Sequence, residues 1–106
     1  MTHAITARCL CGGIAYEISG PVPAAYHCHC ERCRRATASP FTTWFTVPKQ
    51  NLRFTKGEPK RFQSSPGVTR SFCADCGSPV SYERETAPET IDLYAASLND
   101  ASLIHV

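Results

Sequence analysis

Seven cysteines fall into three groups along 106 residues, and their grouping limits what the chain can fold into more than any other feature. Cys9-Leu10-Cys11 stands near the start, Cys28-His29-Cys30-Glu31-Arg32-Cys33 in the first third, and Cys73-Ala74-Asp75-Cys76 in the last third. Closely spaced sulfurs suit a shared metal ion better than an intrachain bridge, and an odd count leaves one sulfur over in any all-disulfide scheme. Two pairs of sulfurs close a tetrahedron. Three sulfurs leave one position open.

The apolar residues explain why such staples are needed. Leu, Ile, Val and Phe supply five residues each, a thin core for a chain of this length, and small domains with thin cores commonly lean on metal sites. The formal charge of +2 is too low for a disordered chain. Seven metal-bound thiolates and two divalent ions would bring that charge to −1, so basicity is no argument for nucleic acid as a partner. No apolar signal segment opens the sequence and no apolar run approaches the roughly 20 residues of a membrane span. The expectation is one domain over residues 1–106, in a reducing, cytoplasmic compartment, without a membrane partner.

Short segments with Gly and Pro between them indicate antiparallel strands rather than βαβ units. Ile5 and Ala7 lead into Cys9 with period two, Gly12-Gly13 turns the chain, and Ile14, Tyr16 and Ile18 return as one apolar face. Further strands are expected over 24–27, 41–47, 52–55, 60–63, 68–72, 79–83 and 90–96. Glu31 to Thr37 holds enough helix formers for one or two turns, the one helix expected. Ser39-Pro40 stops it. Of the neighbours Trp44 and Phe45, at most one should face a site.

The two-plus-two set, Cys9, Cys11, Cys73 and Cys76, reads as a structural zinc site, since soft thiolate sets of this kind favour zinc. Cys28, Cys30 and Cys33 form the candidate catalytic set, because catalytic zinc usually keeps three protein ligands and one exchangeable position. His27 or His29 closing it as a structural site is the other reading of these residues. Three thiolates leave zinc with a net charge of −1, electron-rich and suited to a soft fourth ligand. This favours thiol substrates over hydrolysis. Arg34 and Arg35 carry guanidinium forks that suit a carboxylate, and with His29 they are the candidate substrate-binding residues.

The order Cys-x-Cys-Gly-Gly, Cys-His-Cys-x-x-Cys-Arg-Arg-Ala-Thr and Cys-x-x-Cys-Gly-Ser-Pro resembles the glutathione-dependent formaldehyde-activating enzyme family, also called the centromere-protein-V-type domain, over residues 8–98. The resemblance implies a mainly β fold, a small zinc-containing antiparallel β-sandwich of the methionine sulfoxide reductase B type. It implies two zinc cofactors, a structural one at Cys9, Cys11, Cys73 and Cys76 and an active-site one at Cys28, Cys30 and Cys33. It further implies a carbon–sulfur lyase that joins a small thiol, glutathione, to a small aldehyde, formaldehyde. Ala38 stands where many members have glycine, and relatives continue beyond Ile104-His105-Val106 through another strand. A non-catalytic zinc-stapled interaction module is the alternative that kinship to centromere-type proteins raises, although no basic stripe with interleaved aromatics supports a nucleic-acid surface.

Overall fold

The computed structural model describes residues 5–106. In chain order the elements are β1 (Ile5–Arg8), β2 (Ala15–Ile18), β3 (Tyr26–Cys28), α1 (Glu31–Thr37), β4 (Thr42–Pro48), β5 (Leu52–Lys56), β6 (Lys60–Ser65), β7 (Val68–Phe72), β8 (Pro79–Arg84) and β9 (Thr90–Tyr94), with three single-turn 3₁₀ segments. Every expected strand is present, and α1 is the one α-helix among the described residues. No helix among them is long and apolar enough to cross a membrane.

The strands form two antiparallel sheets, one ordered β1-β2-β5 and the other β3-β4-β9-β8-β7-β6. The β1–β2 hairpin registers Ala7 opposite Tyr16 and Ile5 opposite Ile18. Its inward residues Ala7, Tyr16 and Ile18 meet Phe45, Val47, Val80, Ile91 and Leu93 of the larger sheet in one buried cluster. Burying a side chain such as Leu93 fully contributes on the order of 1.5–3 kcal/mol. This layer, only two strands deep at its centre, is the apolar core that the thin composition allows.

The larger sheet is covered on its other face too. Neighbours on a strand point to opposite faces, so Phe45 enters the inter-sheet core while Trp44 joins Cys33 and Tyr94 in a second buried cluster. β9 shows the same division, with Ile91 and Leu93 in the core and Asp92 and Tyr94 on the outer face, all four buried. Register places Trp44 beside Tyr94, Thr46 beside Asp92, Tyr82 beside Asp92, and Arg70 beside Tyr82. The outer face therefore carries a continuous patch of aromatic and charged residues across four strands. α1 lies over that patch.

Candidate metal centres and the adjoining cavity

The first cluster joins the two sheets. Cys9 and Cys11 come from the turn after β1, and Cys73 and Cys76 from the turn between β7 and β8, with all four sulfurs within 4.8 Å of one another. The second turn is closed by the Gly77 amide donating to the Cys73 carbonyl at 2.8 Å and the Cys73 amide to the Ser78 carbonyl at 2.9 Å. Amides also aim at sulfur, Ile14 N to Cys9 Sγ and Gly13 N to Cys11 Sγ, both at 3.3 Å. Such donors favour thiolate over thiol. The Cys76 thiol is held down to about 5, first by the Ser78 hydroxyl and then by backbone amides. The Gly13 amide acts the same way on Cys11, yet the sulfurs of Cys9, Cys73 and Cys76 together push that thiol up to about 12. Four thiolates this close would repel one another, and a divalent cation would relieve them.

The distances test that reading. A tetrahedral ion with bonds of about 2.3 Å to sulfur sets its ligands about 3.8 Å apart, whereas a disulfide needs about 2.05 Å. Cys9 and Cys11 lie 3.6 Å apart and Cys11 and Cys73 lie 3.7 Å apart. All seven cysteines are free. The donor set and its spacing fit zinc.

The second cluster is built from one continuous segment. Cys28 ends β3, Cys30 caps the N-terminus of α1 with its sulfur accepting from the Cys33 amide at 3.4 Å, and Cys33 is the buried residue of the helix. Residues three apart share a helix face, so Cys30 and Cys33 turn the same way toward Cys28. The sulfurs of Cys28 and Cys33 are 3.7 Å apart and all three lie within 4.8 Å, again the spacing of ligands to one ion. Among the described residues no imidazole nitrogen or carboxylate oxygen joins this group. His27 instead hydrogen-bonds Thr43 Oγ1 at 2.9 Å, and the rings of His27 and His29 both pack on Phe41.

Arg70, which sequence reasoning passed over, sits beneath Cys33. Its guanidinium is buried, with Nη2 3.8 Å from Cys33 Sγ, Nε donating to Ser64 Oγ at 3.2 Å, and Cζ 4.8 Å from the centroid of the Tyr82 ring. Nη1 is buried with no hydrogen-bond partner. Burial and the Cys30 sulfur push the Cys33 thiol up to about 11, while Arg70 pulls the other way. The Cys30 thiol is lowered, first by the Cys33 side chain and then by the Cys33 amide. The buried cation thus meets one of the three sulfurs, that of Cys33.

Two cavities flank this group. The three sulfurs border one of about 160 Å³, whose other walls include Trp44, Tyr82, Arg84 and Asp92. A second, of about 440 Å³, is bordered by Arg32, Arg35 and Arg70 with Phe62 and Phe72. Arg35 reaches that second cavity while paired at 3.0 Å with Glu31 across one helical turn. Arg34 borders neither; together with Arg35, Ser39 and Pro40 it lines a third, of about 330 Å³, at the end of α1. Arg70 and Asp92 are both charged residues on strands otherwise rich in β-formers, and that local oddity is the only sequence signal that marks them.

Comparison with known proteins agrees with this architecture. A family model described as glutathione-dependent formaldehyde-activating enzyme matches residues 4–105. An uncharacterized lyase of Schizosaccharomyces pombe is 32% identical over 71 residues, covering 67% of this chain and 51% of that protein, so the chain spans about half the length of that relative. A solved Rhodobacter sphaeroides protein superposes with a TM-score of 0.75 at 24% identity, covering 90% of this chain and 88% of that one. The last likeness concerns the fold.

Proposed function

Because the chain belongs to the glutathione-dependent formaldehyde-activating enzyme family, we propose that Cys28, Cys30 and Cys33 form the active centre of a carbon–sulfur lyase-type enzyme that adds a small thiol to a small aldehyde. The observation that carries this reading is the three-sulfur group bordering a cavity, with no fourth protein donor among the described residues. A zinc ion held by these cysteines supplies a soft Lewis acid that takes sulfur in preference to oxygen and lowers a thiol's pKa. Arg70 offsets the negative charge that three thiolates bring. Trp44 and Tyr82 give the cavity apolar walls, which limit water around a reactive thiolate.

Glutathione is the proposed thiol and formaldehyde the proposed carbonyl, on family grounds. The carboxylate end of an acidic thiol would fit the cavity that Arg32, Arg35 and Arg70 border, where a partnerless guanidinium nitrogen is already buried. Arg35 serves this role better than Arg34, which does not border this cavity. His29, exposed against Phe41, is left the outer rim of the site. Cys9, Cys11, Cys73 and Cys76 would hold a second zinc whose work is structural.

Calorimetry on the zinc-loaded protein tests the reading. Glutathione should bind, and S-methylglutathione, which keeps both carboxylates but cannot form a thiolate, should bind at least about tenfold more weakly, a difference of about 1.4 kcal/mol. Exchange NMR should also show faster interconversion of glutathione, formaldehyde and their adduct. Equal affinity for the two peptides would assign the three cysteines a structural role, as in an interaction module.

A further inference from the structure

Asp92 lies at the centre of β9, between β4 and β8, and is only 8% exposed. A carboxylate buried this far is ordinarily paired with a cation. Among the described residues no Lys, Arg or His comes within salt-bridge distance of Asp92, and its side-chain support is the Thr46 hydroxyl, which donates to Oδ1 at 2.6 Å. Tyr26 Oη lies 3.3 Å from Thr46 Oγ1 and extends this short chain. Its neighbours Ile91 and Leu93 build the apolar core, and packing alone would be served as well by a neutral residue here. What distinguishes the position is what it faces: Asp92 borders the same cavity as the sulfurs of Cys28, Cys30 and Cys33.

The other groups bordering that cavity are poorly suited to accepting a proton. Tyr26 and Tyr82 offer phenol hydroxyls and Arg84 a guanidinium that only donates. The cysteines would be committed as metal ligands, and neither His27 nor His29 borders the cavity. Asp92 is the one carboxylate on the wall. The volume, about 160 Å³, is several times the roughly 30 Å³ a water molecule takes in the liquid, room for a thiol head and a carbonyl of one or two carbons.

We propose that Asp92 is a catalytic residue, the proton acceptor and donor for thiol addition at this cavity; the assignment rests on the thiol-addition reading above. In the forward direction the S–H bond breaks and its proton passes to the Asp92 carboxylate. The sulfur electron pair then forms the bond to the carbonyl carbon, and the C=O π pair moves onto oxygen. That oxygen takes the proton back from Asp92, giving a neutral S-hydroxyalkyl product and restoring the carboxylate. The reverse reaction begins with Asp92 taking the hydroxyl proton and ends with the C–S bond cleaved and the thiol reprotonated. Nothing is oxidised and no further reactant is consumed.

The test uses zinc-loaded wild-type protein, Asp92→Asn and Asp92→Gly, with glutathione and formaldehyde followed by exchange NMR. Asparagine keeps the shape and can still accept from Thr46, so Asp92→Asn should retain two zinc ions per chain and bind glutathione within about twofold of wild type. Its exchange rate should fall roughly 100-fold or more, the usual scale of general acid–base catalysis, and added formate should restore part of the rate to Asp92→Gly. If Asp92→Asn does not fold, Thr46→Val takes its place, since it unties the carboxylate without entering the cavity; its rate should fall several-fold at unchanged glutathione affinity. An active wild type with an equally fast Asp92→Asn overturns the assignment of Asp92 alone. Loss of zinc or of glutathione affinity in Asp92→Asn overturns it in favour of a structural role. Wild-type protein that does not accelerate exchange sinks the thiol-addition reading and the Asp92 assignment with it.

Discussion

At the scale of single residues, the three-sulfur centre depends on charge that lies far away in sequence. Arg70 is 37 positions from Cys33, yet its Nη2 is the cation that meets the sulfur. Taking up zinc leaves the centre with a net negative charge in a partly buried place, and a fixed cation beneath it makes the loaded state less costly. Arg70→Gln keeps much of the side chain's packing and removes the charge. Its zinc affinity at Cys28, Cys30 and Cys33 should drop roughly 10–100-fold, the range seen when groups supporting metal ligands are removed, while the four-cysteine site is unchanged. Competition with a chromophoric chelator measures both; an unaltered three-cysteine affinity would mean that Arg70 only packs.

Among the elements, α1 is the one that positions chemistry, and its ends show how. Cys30 caps its start, and near its end Thr37 Oγ1 donates back to the Cys33 carbonyl, four residues earlier, at 2.8 Å. The chain then passes through Ala38 at φ 56°, ψ 32°, the left-handed region where an L residue with a Cβ pays roughly 1–2 kcal/mol. Glycine is the usual occupant of that helix-ending conformation. Ala38→Gly should therefore stabilise the protein by about 1 kcal/mol and raise its melting temperature by about 4 °C or more. A melting temperature that stays put or drops would show that no strain is held there. Gly57 is the opposite case: at φ 71° its missing Cβ would collide with the Gly13 carbonyl, so β5 can approach the cysteine-bearing turn only with glycine.

On the scale of the whole molecule, the two centres do different work because of what they connect. Cys9 and Cys11 come together with Cys73 and Cys76 across the junction of the two sheets, so an ion there would close a loop of most of the chain. Cys28, Cys30 and Cys33 lie within six residues, so an ion there would tie together only β3 and α1. Structural zinc in small domains carries on the order of 10 kcal/mol of apparent binding free energy, comparable to a domain's whole stability. Increasing chelator should thus remove metal in two steps. About one equivalent should leave first with the β circular-dichroism signal intact, and the second should leave together with the fold. Both steps require thiols to regain protons, so each should move to lower chelator as pH falls. Release of both metals in a single transition with loss of structure would contradict this division.

The elements and the grouping of the cysteines were legible in the sequence because both are set by local chemistry. Strand alternation, Gly and Pro punctuation, the span of α1 and the three-sulfur group each need only neighbours along the chain, the four-sulfur set follows from matching the two remaining pairs, and α1 runs from Glu31 to Thr37 as the sequence indicates. The opposed facing of Trp44 and Phe45 follows from strand geometry in the same way. What surrounds the sulfurs was not legible. Arg70 and Asp92 reach the centre from β7 and β9 through the order β9-β8-β7, a pairing that no local pattern encodes. The arginines beside Cys33 drew attention by proximity in sequence, yet a helix sends consecutive residues to different sides, so Arg35 reaches the cavity that Arg70 borders and Arg34 does not. The three clustered cysteines are neighbours in sequence; Arg70 and Asp92 arrive beside them by folding, because strand order alone decides which distant side chains share a face.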